Sequence, residues 1–110
     1  MAKRNARRGG RLFAGRKDEA YLTWLRTFPC AICLWLGEVQ QSRTEVEHWQ
    51  ARSAGGYDNG DTYPTCQKHR ILRHEHPEEF RMAVQLVKLD LDVLCRRLAL
   101  QYEKDEWPCP

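Results

Sequence analysis

The stretch "EVEHWQARSAGGYDNGDTYPTCQKHR", Glu45 to Arg70, decides how this chain can fold. Its opening, read with Thr44 as "TEVEHW", has the alternating, β-branched character of a strand ending at His48. "ARSAGGYDNGD" is so dense in Gly, Asn and Asp that it must be a loop. The stretch closes on Cys66-x-x-His69, with Pro64 near a helix entrance and Cys66 at or just before the first turn. Upstream, "PCAIC" supplies Cys30-x-x-Cys33. Two thiolates at this spacing aim at one centre about 2.3 Å away, and Cys66 with His69 offers the second pair across the fold. The four make a closed tetrahedral Cys₃His set, the pattern of structural zinc. Folding then draws on metal binding, on the order of 10 kcal/mol or more, which a small core needs.

Outward from these knuckles the chain reads as one domain. Its 110 residues, 42% of them hydrophobic, suffice for one small core and a docked helix. Five cysteines are an odd number and no secretory signal is visible, so metal ligation is a better reading than a disulfide framework. Cys95 falls beside an apolar stripe and reads as core, and Cys109 in "WPCP" as a free thiol. "KDEAYLTWLRTF" predicts a short helix over about Asp18 to Thr27, capped by Asp18 and stopped by Pro29. "GEVQQSR" reads as a turn between strands. From Pro77 to Trp107 a single long helical stretch is expected, with Pro77, Glu78 and Glu79 in its first turn. Phe80, Val84, Val87, Leu91, Leu94 and Leu98 recur along it as a core stripe or a dimer seam.

Charge is unevenly distributed. Through Lys17 the chain carries seven basic residues and no acid, whereas the remainder has 11 basic and 15 acidic side chains, a net of −4. Residues 1–17 read as a disordered basic tail, either an arm for polyphosphate or a solubilising terminus. Apolar runs such as "AICLWL" are too short to span a bilayer, so a soluble, cytoplasmic protein with no membrane partner is expected.

Taken together, "VEHW", the glycine pair, "D-x4-C-x-x-H" and the later histidine resemble the HNH, or ββα-metal, endonucleases. "YLTWLRTFPCAIC", "GD-x-x-x-PTCQKHR" and "LRHEHPEEF" bring the likeness to the small phage-type branch that includes the recombination-enhancement nucleases. The resemblance covers about Tyr21 to Phe80. It implies an α+β fold: a zinc-braced ββα-metal core over residues 18–76, flanked by an N-terminal helix and by a long C-terminal helix in 77–110.

The resemblance further implies that His48 is the general base, a task suited to an imidazole largely neutral at cell pH. Glu47 takes the preceding position and would give a hard oxygen to a catalytic ion, Mg²⁺ or else Mn²⁺ or Ni²⁺. Asp61, in place of the family's central Asn, would ligate metal or orient His48; read from its own surroundings it is a helix-start or loop cap. His74 matches the later helical ligand. Arg70 stands where many relatives carry a histidine; it cannot bind a cation and would grip phosphate or mark a weakened site. His76 is a substitute ligand or a surface residue. Arg4, Arg7, Arg8 and Arg11 of the tail, with Arg52, Arg70 and Arg73, would guide a nucleic-acid backbone. The function so implied is phage-encoded, metal-dependent DNA hydrolysis with little sequence preference. The rival expectation is a catalytically degenerate module that binds DNA or docks a phage or host recombination or replication protein, and a third is a structural zinc protein that dimerises through its helix stripe.

Overall fold

The computed structural model describes residues 17–50 and 56–106. Among these residues, five helices and one hairpin follow in the order α1 (Glu19–Leu25), α2 (Ala31–Leu36), β1 (Glu45–His48), β2 (Thr62–Thr65), α3 (Gln67–Glu75), α4 (Pro77–Leu86) and α5 (Leu91–Glu106). The fold is α+β. Arg4, Arg7, Arg8, Arg11, Arg52 and Cys109 lie outside the described residues, as does nearly all of the basic tail. Among the described residues no helix is long and apolar enough to cross a membrane.

Asp18 caps α1, its carboxylate accepting from the Tyr21 N–H at 3.1 Å. β1 and β2 pair antiparallel with Glu45 opposite Thr65, Val46 opposite Pro64, Glu47 opposite Tyr63 and His48 opposite Thr62. The Trp49 N–H donates to Asp61 O at 2.7 Å, so the hydrogen-bonded pairs fall at every second residue, 49–61, 47–63 and 45–65. Pro64 therefore occupies a non-hydrogen-bonded position, where its missing N–H costs the ladder nothing. Expected near a helix entrance, Pro64 instead lies inside β2. The helix starts at Gln67 with Cys66 as its cap.

Two expectations for local structure are corrected. "GEVQQSR", expected as a turn between strands, joins a helix to a strand, because the segment after Cys30 is the short helix α2. The Cys30 sulfur accepts the Cys33 N–H at 3.4 Å, and Gly37 at φ 72° ends the helix in the left-handed region open to glycine. The C-terminal stretch is two helices. Lys88 adopts φ 58°, the Leu89 N–H returns to Val84 O at 2.9 Å, and Asp90 restarts the chain by accepting the Val93 N–H at 3.2 Å. A single helix of some 30 residues would run about 45 Å and lay most of its stripe beyond so small a core. The turn folds it back instead, so Phe80, Val84, Leu89, Leu91 and Cys95 enter one cluster with Cys30, Ile32, Cys33, Tyr63 and Cys66. Val87, Leu94 and Leu98 pack against that cluster, and the stripe is core.

A second cluster joins the two ends of the described chain. Tyr21, Leu22 and Leu25 of α1 meet Tyr102 of α5, with Trp24, Val46 and Leu98 at its margin. The Tyr21 and Tyr102 rings meet edge to face, centroids 5.0 Å apart. Alternation along β1 therefore turns Val46 and His48 toward α1 and leaves Glu45 and Glu47 toward α3.

Candidate metal centre and strand-end site

Cys30 and Cys33 come from the start of α2, and Cys66 and His69 from the start of α3. All four are buried, and their ligand atoms lie within 4.8 Å of one another. His69 Nδ1 stands 3.6, 3.5 and 3.3 Å from the sulfurs of Cys30, Cys33 and Cys66, and the Cys33 and Cys66 sulfurs are 3.7 Å apart. A tetrahedron with zinc–sulfur arms near 2.3 Å has edges of about 3.5 to 3.8 Å. The cluster thus has the donors and the spacing to hold a structural metal such as zinc. It is the one group of three or more such donors among the described residues.

Burial, reinforced by the neighbouring Cys66 and Cys30, pushes the Cys33 thiol up to about 12, and burial also pushes His69 down. An incoming cation must therefore displace the Cys33 proton. Zinc affinity is expected to rise with pH through neutrality, by about tenfold per unit for each proton released, and titration in weak buffer should acidify the solution. A pH-independent affinity would contradict this.

Glu38 was not foreseen from the sequence. Gly37 turns the chain, the Glu38 N–H donates to Cys33 O at 2.9 Å, and Glu38 Oε1 comes to 3.3 Å from His69 Nε2. Lys68 holds the same oxygen at 3.0 Å and lowers the Glu38 pKa. A carboxylate on the far ring nitrogen fixes the tautomer that frees Nδ1 for metal. Glu38→Ala is expected to weaken zinc binding roughly 10- to 100-fold, measured by competition with a chelating dye, with the fold retained at saturating zinc.

Glu47, Arg70, Arg73 and His74 gather where β1 faces α3. Glu45 Oε1 accepts from Arg70 Nε at 2.6 Å, and Glu47 Oε2 lies 2.5 Å from His74 Nε2. Two strand residues advance about 6.6 Å and four helical residues about 6 Å, so the pairs Glu45–Arg70 and Glu47–His74 stack in register. Glu45 is a second unforeseen participant, and its i, i+2 spacing from Glu47 against the i, i+4 spacing of Arg70 and His74 was a usable signal. Arg73, expected to guide a nucleic-acid backbone, is engaged within the fold. It donates to His48 O at 2.8 Å, Trp49 O at 2.9 Å and Tyr63 Oη at 3.3 Å, reaches Glu47 at 3.4 Å and lies over the Trp49 ring. That commitment ties the end of β1 to α3. His76 sits exposed at the α3–α4 junction, 3.8 Å from Glu79.

On the opposite face of β1, His48 Nε2 lies 2.8 Å from Oδ1 of Asp58, whose side chain is 1% exposed. The other Asp58 oxygen accepts the Asp18 N–H at 2.7 Å. The carboxylate that meets His48 is therefore Asp58, where Asp61 was one expectation, and Asp61 takes its other reading, a loop cap. Asp61 closes the loop, accepting the Tyr57 N–H on Oδ2 at 2.7 Å and the Trp49 N–H on its carbonyl. The segment "YDNGD" offers both aspartates, and only the folded loop distinguishes them.

Comparison of the chain with protein-family models, with curated proteins and with solved structures finds no match.

Proposed function

We propose that this protein is a divalent-metal-dependent phosphodiester hydrolase of the HNH type acting on DNA, its fold held by zinc at Cys30, Cys33, Cys66 and His69. The observation that carries this reading is the meeting of Glu47 with His74 at 2.5 Å, one strand position from an imidazole held by a buried carboxylate. One carboxylate and one imidazole, with His74 60% exposed and open to water, suit an ion such as Mn²⁺ or Ni²⁺ better than Mg²⁺, which favours oxygen ligands throughout. When bound there, the ion would polarise a phosphoryl oxygen and offset charge on the leaving oxygen.

The protein's own groups supply the rest. A carboxylate only accepts, so Asp58 keeps the proton on His48 Nε2 and leaves the lone pair on Nδ1. Nδ1 takes a proton from water, the water oxygen bonds to phosphorus, and the P–O bond opposite breaks. A backbone crossing the end of β1 would have His48 on one flank and Glu47 with His74 on the other, as in-line displacement requires. The test is nicking of supercoiled plasmid by zinc-loaded protein with Mn²⁺, Ni²⁺ or Mg²⁺, wild type beside His48→Ala. Equal nicking by both proteins would remove His48 from the chemistry.

A second reading, a degenerate DNA-binding or protein-docking module, is favoured by Arg70. Its guanidinium has its own carboxylate partner in Glu45, which fits a residue that braces the strand against α3 without taking part in hydrolysis. Arg70→His discriminates. If the position is a vacated ligand site, Arg70→His should tighten the second ion and raise nicking; if Arg70 grips phosphate, nicking should fall. Wild type that binds DNA without cutting, together with a cutting Arg70→His variant, would establish the second reading.

A further inference from the structure

On the hydrolase reading, on which this inference rests, a backbone presented to His48 extends past it, and the other end of β1 offers it a surface. There an open groove of about 480 Å³ is lined by Arg26, Arg43, Thr44, Glu45 and Val46. Arg26 closes α1 and Arg43 precedes the strand, and both are exposed. Among the described residues neither guanidinium has a carboxylate or hydrogen-bonding partner. Arg70, Arg73, Arg81 and Arg96 are each paired, and Arg97, the other described arginine without such a partner, lies away from the groove on α5. Glu45, the acid in the groove wall, is engaged by Arg70. Two unneutralised planar cations thus flank a concave polar surface, the chemistry that pairs with phosphate oxygens.

The groove is aligned with the candidate base. The start of α1 is tied through Asp18 and Asp58 to His48 at the end of β1. The end of α1 returns to the start of β1, where Arg26 meets the groove, so α1 runs antiparallel to the strand. Glu45 and His48 are three residues apart, about 10 Å along an extended strand. We infer that the Arg26–Arg43 groove binds the phosphodiester backbone of nucleic acid a short distance from the phosphate presented to His48, fixing the strand's direction across the site.

Fluorescence anisotropy tests this with zinc-loaded protein and no other divalent ion, using labelled single-stranded DNA, its RNA counterpart and a DNA duplex. Arg26→Gln/Arg43→Gln is compared with wild type and with Lys88→Gln/Arg97→Gln, which removes the same charge from the α4–α5 segment. The groove variant should lose roughly tenfold in affinity, and its log affinity against log salt should flatten by about 1.4 on the single strand, two phosphate contacts fewer. Loss on DNA and RNA alike supports recognition of the shared phosphate. Unchanged affinity and slope, or an equal loss in the Lys88/Arg97 control, overturns the groove. Because the readout is binding, a protein that loses affinity this way yet cuts nothing sinks the hydrolase reading and leaves the groove standing. Unchanged binding together with His48-dependent nicking does the reverse.

Discussion

Removing the ion from the Cys30, Cys33, Cys66 and His69 cluster is expected to abolish the cooperative thermal transition of the protein. The cluster is not peripheral. Cys30, Cys33 and Cys66 belong to the same buried group as Tyr63, Phe80, Val84, Leu91 and Cys95, so it is the point at which α2, β2, α3 and the C-terminal helices converge. Metal binding to a set of ligands that the unfolded chain does not preassemble is itself folding free energy, on the order of 10 kcal/mol. That equals the whole stability of an ordinary domain, about 5 to 15 kcal/mol. Cys33→Ser should behave like chelation, because it removes a buried ligand and leaves three others converging on an incomplete centre. The measurements are circular dichroism melting and bound-zinc stoichiometry. A sharp transition persisting at the same temperature after verified zinc loss would show that the apolar core alone suffices.

Loss of the imidazole at position 48 should lower nicking by on the order of 10² to 10⁴, the usual contribution of a positioned general base. Zinc content should not change, since His48 lies outside the Cys₃His set. His48→Ala also strips a partner from buried Asp58, at a cost of about 1 to 3 kcal/mol, so melting should be followed alongside activity. His48→Gln can retain a hydrogen bond to Asp58 and separates the two effects. Asp58→Asn should lose activity on a similar scale, because an amide no longer dictates which imidazole nitrogen holds the proton. Glu47→Ala and His74→Ala should fail differently: raising the concentration of the second ion should partly restore them and should not restore His48→Ala. Restoration of His48→Ala by metal alone would place His48 among the ligands.

How far the site was legible in the chain depended on the range of its signals. Cys30-x-x-Cys33, Cys66-x-x-His69 and the strand ending at His48 are written in spacings of two to four residues, and each forms as expected. The break at Lys88 is also local, and the capping residue Asp90 announces it, yet the apolar periodicity continues through it and masks it. Periodicity records which residues are buried, and a helix that folds back on one core buries the same stripe as a straight helix.

By itself, then, the sequence determined the four residues that could hold a structural metal, the strand that carries Glu47 and His48, and the helix that carries Arg70 and His74, because each is set by neighbours within a turn or a strand pair. Only the tertiary structure decided who faces whom. Asp58 rather than Asp61 holds His48, Glu38 supports His69, Glu45 takes Arg70, and Arg73 ties off the strand. These pairs join residues 10 to 31 positions apart in the chain. Their choice depends on loop closure and on the register in which β1 lies against α3. Acidic and basic residues are individually common, so without that register no spacing along the chain singles out one carboxylate from the next.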